Sequence, residues 1–120
     1  MLVTAQILRF GLVGALATLV HVAVASALLA FAGQWQVWLV NFVAFSVAFW
    51  VSFFGHRYFT FRAPGSPARF LGAALTGLAV NNGCLALALW ATGQKMISIT
   101  LAAIAAPAVV FMISRLWVFR

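Results

Sequence analysis

Four long runs in the chain carry no Asp, Glu, Lys or Arg: roughly Phe10 to Ala32, Trp35 to Phe54, Phe70 to Trp90 and Met96 to Ser114. Each has about 19 to 23 residues, and a helix rising about 1.5 Å per residue needs about 20 to cross a hydrocarbon core of about 30 Å. Four spanning helices follow. Composition agrees, since 6% of the residues are charged, against about a quarter in a soluble domain. The first run is too long for a secretory signal and lacks its small-residue cleavage site, so it is read as mature structure.

The chain has seven Lys or Arg and no Asp or Glu. General acid or base chemistry, most metal cages and proton-coupled transport draw on carboxylates. No metal site and no cofactor are therefore expected. No nucleophile and base stand at a recognisable spacing, so an enzyme is not expected either. The single cysteine, Cys84, cannot form an internal disulfide and is expected to be a small buried side chain.

Orientation follows from where the cations fall. Arg9 precedes the first span, Arg57, Arg62 and Arg69 surround the middle connection, and Arg115 and Arg120 end the fourth. Only Lys95 lies on the other side. Both termini are therefore expected in the cytoplasm. Such a bias argues against insertion both ways up, and the +7 charge is assigned to orientation rather than to a nucleic-acid surface. Trp35, Trp38 and Trp90 fall at the outer interface, and Tyr58 and Trp117 at the inner one, as aromatic belts do.

The stretch RAPGSPAR at 62–69 is the one Pro, Gly and Ser cluster, and the halves on either side of it repeat each other. Arg9 and Phe10 recur as Arg69 and Phe70, 60 positions later, and GQ at 33–34 recurs at 93–94. At the other end Arg57, Phe59, Phe61 and Arg62 recur 58 positions later as Arg115, Trp117, Phe119 and Arg120. A hairpin of two spans returns to its starting side, so a tandem copy keeps its orientation. The expected fold is an all-α membrane protein of four transmembrane helices, built as two tandem parallel-repeat hairpins. It forms one transmembrane domain over 1–120, with repeats at about 9–62 and 69–120 and a linker at 63–68.

Small residues allow close helix approach in lipid. Gly14, Ala17, Thr18 and His21 share one face of the first helix, and Ala74, Gly77 and Asn81 share one face of the third. His21 and Asn81 are equivalent by the repeat and lie near mid-membrane, with Asn82 beside Asn81. Any substrate path is placed there, between the hairpins. His21 has two readings: a neutral imidazole bonded to a neighbouring helix, through Asn81 or Thr18, or a functional group that binds a polar head group or carries a proton. Asn81, Asn82 and Asn41 have packing and hydrogen bonding as the alternative to function. Pro107, inside the fourth span, removes a donor to the Ala103 carbonyl, so a kink or a freed acceptor is expected.

Positive-inside anchoring accounts for Arg62 and Arg120. Arg57 and Arg115, at equivalent inner ends of the second and fourth helices, are also placed where a guanidinium can fork onto a phosphate. Arg9 and Arg69, at the starts of the first and third, complete a set of four.

RFGLVG at 9–14, FFGHRYFTFR at 53–62, RF at 69–70 and FMISRLWVFR at 111–120 together resemble the GtrA-like membrane proteins, which carry an RFxxVG opening and an FxxNRxxxF-type close to each hairpin. The resemblance covers nearly the whole chain. It implies that Arg9, Phe10, Gly14, Arg57, Phe61, Arg115 and Phe119 hold the family's marked positions. The usual Asn before the closing Arg is His56 in one half and Ser114 in the other, and the acidic residue that many members carry in the first helix is His21 here. A mechanism through a membrane carboxylate is thereby unavailable.

The function implied by that resemblance is translocation of a polyprenyl-phosphate-linked sugar across the bacterial inner membrane, for cell-surface polysaccharide synthesis. The inventory suits it: inner arginines for the phosphate, His21, Asn81 and Asn82 along the path, and walls of Gly and Ala. A broad aqueous pore is excluded by the scarcity of polar side chains. The alternative is a non-transporting membrane subunit that organises a glycosyltransferase partner, with Gly72, Thr76 and Gly83 available for packing. A cation exporter of similar plan is disfavoured by the missing acids. A homo-oligomer is compatible with the chain, with the Ala-rich face at 102–106 as a candidate contact.

Overall fold

The structure is a computed structural model describing residues 3–32 and 34–120, with the side chains of Val37 and Trp38 outside the description together with Met1, Leu2 and Gly33. Each apolar run forms a helix: α1 is Val3–Phe31, α2 Val37–Gly55, α3 Pro67–Thr92 and α4 Lys95–Ile113. All four are long and apolar enough to cross a membrane. Among the described residues there is no strand.

Two units meet at Arg62 and Ala63. The first is the hairpin of α1 and α2, closed by a π-helical turn over His56–Thr60. The second is the hairpin of α3 and α4, closed by a π-turn over Ser114–Val118. Arg62 ends the first unit with φ +52°, a left-handed conformation uncommon for a side chain with Cβ.

Local sequence sets the helix ends. Ser66 caps α3 by accepting from the Arg69 N–H at 3.4 Å, and Pro67 takes the first helical position, where its missing donor costs nothing. Gly93 ends α3 with φ +66° and an N–H bonded to the Leu89 carbonyl, the left-handed cap that glycine adopts most cheaply. Within the spans, hydroxyls turn back onto their own helices: Thr18 donates to the Gly14 carbonyl at 2.9 Å and Thr76 to Gly72 at 2.8 Å. That satisfies them without a partner helix.

One expectation about ends needs correction. Arg9 does not precede α1, because the helix starts at Val3; it lies in the second turn. Hydropathy marks what lipid covers, whereas a helix continues wherever its backbone can bond, and Thr4 and Gln6 do not stop it. Arg57 and Arg115 lie at the ends of α2 and α4, inside the π-turns that extend these helices.

The helices approach at small residues. Ala44 and Ala73 are fully buried, and Ala48, Ala88 and Ala102 nearly so. A Cβ on Gly55 would lie 2.7 Å from Val13 Cγ1, and one on Gly77 would collide with Val110 Cγ2. At Gly14 an added Cβ meets nothing within 4 Å. Gly83 is equally open. Ala102, at 2% exposure, is buried as well. Cys84 is half-buried rather than buried.

Candidate functional site at the arginine end of each hairpin

In the first hairpin, α1 and the π-turn after α2 bring Phe10, His56 and Phe61 together. The Phe10 and His56 rings stack at 4.4 Å with a 12° interplanar angle, and Phe61 meets Phe10 edge-on at 6.5 Å. His56 is almost fully buried, with Nδ1 3.0 Å from Thr60 Oγ1. The i to i+5 bond from the Phe61 N–H to the His56 carbonyl, 2.8 Å long, closes the turn. The extra residue in that turn swings the Phe61 ring inward, toward α1.

The second hairpin builds the same end from different residues. Its turn closes through the Phe119 N–H to the Ser114 carbonyl at 2.9 Å, and Phe119 packs on Phe70 at 5.9 Å. Ser114 stands where His56 does, and Val118 where Thr60 does, 58 positions on. The polar pair is thereby lost. Ser114 Oγ is buried with no hydrogen-bond partner, and buried hydroxyls rarely go unsatisfied.

Both hairpins hold an arginine over an aromatic ring. Arg9 Cζ lies 5.5 Å from the centre of the Phe59 ring, and Arg69 Cζ lies 5.4 Å from that of Trp117. Arg69 Nη1 also donates to the Trp117 carbonyl at 3.3 Å. A cation over an aromatic face is held by about 0.5 to 2 kcal/mol, depending on desolvation. Such a contact fixes the guanidinium without neutralising it, as a carboxylate would. Arg57 Cζ lies 5.3 Å from the Tyr58 ring. Arg9, Arg57 and Arg115 are half-buried and Arg69 is exposed.

The mid-span residues divide differently from expectation. His21 Nε2 lies 3.2 Å from Asn41 Oδ1, so its bond is made inside its own hairpin and not with Thr18 or Asn81. Asn41 is the one side-chain amide on α2, and that singularity was the available signal for the pairing. Asn81 Nδ2 donates to the Ala102 carbonyl at 3.3 Å, while Asn82 is exposed. The helix α4 runs unbroken through Pro107, and Asn81 reaches the carbonyl next to the one that proline leaves without its usual donor. Sequence reasoning also passed over Phe59 and Trp117 as arginine supports, although their repeat equivalence was visible. Among the described residues no group of His, Cys, Asp and Glu could hold a metal ion.

A family model described as GtrA/DPMS, transmembrane domain, matches residues 9–120. The chain belongs to this family. The match begins at the arginine of α1 and ends at the last residue, so it takes in both arginine ends. Neither a curated protein nor a solved structure matches the chain. As a GtrA/DPMS-type chain it is a multi-pass membrane protein, with a function related to glycosyl carrier lipids. The resemblance read from RF, Arg57, Phe61, Arg115 and Phe119 named the same family.

Proposed function

We propose that this GtrA-like chain flips a polyprenyl-phosphate-linked sugar across the bacterial inner membrane. The phosphate is taken by Arg9 and Arg57 of the first hairpin and by Arg69 and Arg115 of the second, and His21, Asn81 and Asn82 offer hydrogen bonds to the head group on its way. The observation that carries this reading is the support of Arg9 and Arg69 by the Phe59 and Trp117 rings in a chain without acidic side chains. Guanidiniums held in this way are oriented and keep their charge for a phosphate, which they bind as a fork. The remaining steps need no proton carrier. Flipping runs down the gradient between synthesis on one face and consumption on the other, with the arginine end and both termini in the cytoplasm.

The test is head-group exposure at the outer leaflet of proteoliposomes loaded with a polyprenyl-phosphate sugar. Protein-dependent exposure that falls severalfold in Arg57→Ala and in His21→Ala supports the route. Full exposure in both variants, inserted normally, sinks it. No exposure above empty liposomes, across several lipid-linked sugars, would favour a subunit that organises a glycosyltransferase instead.

A further inference from the structure

The two hairpins differ along the helix that leads away from the arginine end. On α2, Trp50, Phe54 and Tyr58 follow one another at four-residue steps, which stacks them on one face. Trp50 and Phe54 are 5.8 Å apart at 27°, and Phe54 and Tyr58 are 6.2 Å apart at 13°. Arg57 closes the lower end of the row, 5.3 Å from the Tyr58 ring. The three rings are 46%, 47% and 66% exposed, so their packing inside the hairpin does not account for them. The positions 58 residues on are Ala108, Met112 and Leu116. No ring stands there.

An aromatic belt does not account for the row either. Belts sit at head-group level, whereas Trp50 lies eight residues from Tyr58, about 12 Å deeper along a helix rising about 1.5 Å per residue. A lipid-facing wall needs no rings at that depth, since leucine matches saturated chains as well, and the second hairpin uses Met112 and Leu116.

From this row we infer that the first hairpin carries a binding track for the isoprenoid tail of a phosphate-headed lipid, with Arg57 at the phosphate end and Tyr58, Phe54 and Trp50 under successive isoprene units. The inference rests on the phosphate reading given above for Arg57. An isoprenoid chain is a series of flat, methyl-bearing alkenes. Flat polarisable ring faces offer such units broad contact, each atom pair contributing about 0.1 to 0.2 kcal/mol. A saturated chain presents no flat units, so fewer of its atoms lie against a ring face at once. The charge at one end and the rings beyond it match the order of phosphate and tail in such a lipid. The second hairpin has the charge without the row. It therefore takes phosphate without selecting the tail.

The experiment measures lipid binding to the full chain in nanodiscs by native mass spectrometry. The probes are a long-chain polyprenyl monophosphate, its fully hydrogenated monophosphate analogue of the same carbon count, and the corresponding two alcohols. Unaltered protein should prefer the polyprenyl phosphate by about tenfold, the scale of one good aromatic contact. Trp50→Leu with Phe54→Leu should abolish that preference and leave binding of the saturated phosphate unchanged. Should the pair fail to insert, Phe54→Leu alone must reduce the preference. Arg57→Ala should weaken both phosphates alike and preserve the preference for the unsaturated alcohol. No preference in the unaltered protein, or a preference that survives the leucine variants, overturns the track. Unchanged phosphate binding in Arg57→Ala overturns the phosphate reading alone.

Discussion

Substituting Gly55 by alanine should loosen the first hairpin, and a second substitution should restore it. The added Cβ would sit 2.7 Å from Val13 Cγ1 and 3.1 Å from Cγ2, whereas carbon atoms rest at about 3.5 to 4.0 Å. Val13 is 5% exposed and, as a β-branched residue in a helix, has essentially one χ1 well. It cannot turn aside, so the helices must separate. Overpacking of this kind costs about 1 to 3 kcal/mol. Val13→Ala alone removes two methyl groups from the same contact and costs a similar amount, on the scale of about 0.5 to 1.5 kcal/mol per methyl. Together the two changes place alanine opposite alanine with no collision. The pair should therefore be more stable than the sum of its singles by at least about 1 kcal/mol, a coupling that neighbours in contact can reach. The second hairpin shows the reverse allocation: Ala73 stands 60 positions after Val13 and Ile113 stands 58 after Gly55. Reversible unfolding of the four proteins in mixed micelles, followed by tryptophan fluorescence, measures the coupling. Strict additivity, or a Gly55→Ala protein as stable as the parent, would refute the reasoning.

Thr60→Val and Ser114→Ala should behave oppositely in the same unfolding assay. The first leaves His56 Nδ1 buried without its hydroxyl and should cost about 1 to 3 kcal/mol, whereas the second removes a hydroxyl that has no partner and should be neutral or stabilising. For His21 and Asn41, a double-mutant cycle with His21→Ala and Asn41→Ala should give a coupling of about 0.6 kcal/mol and below about 1.7, the range of hydrogen bonds between membrane helices; a value indistinguishable from zero would mean that the 3.2 Å contact contributes nothing to the hairpin.

The four helices were legible because lipid allows so few alternatives: an uncharged run of this length has to bond its backbone internally. Their ends were not. Val3 to Leu8 is helical although it lies outside the apolar run, and the π-turns at His56 and Ser114 have no sequence signature of their own. They depend on where Phe61 and Phe119 find a ring to pack against. The arginines and phenylalanines of the two closing motifs were singled out through their repetition. His21 was singled out by its place along the helix, but its hydrogen-bond partner was not sought on α2, because shared depth does not decide which helix lies alongside. A small residue permits a close approach without requiring one, and the approach in the first hairpin is made at Gly55.

The ring-supported arginines carry one more consequence. A guanidinium against an aromatic face or a carbonyl oxygen satisfies its geometry while its monopole stays whole, and a chain with a formal charge of +7 contains no acidic side chain to cancel it. Electroneutrality then has to be completed from outside, by the diffuse layer of ions and by the phosphates of the surrounding leaflet. The arginine ends accordingly sit in a self-made excess of anions, whose depth shrinks as ionic strength rises and the Debye length falls from about 10 Å at 0.1 M. The surrounding lipid is in this sense the missing counter-ion of the fold, and a bilayer of purely neutral lipids leaves the same helices electrostatically unfinished.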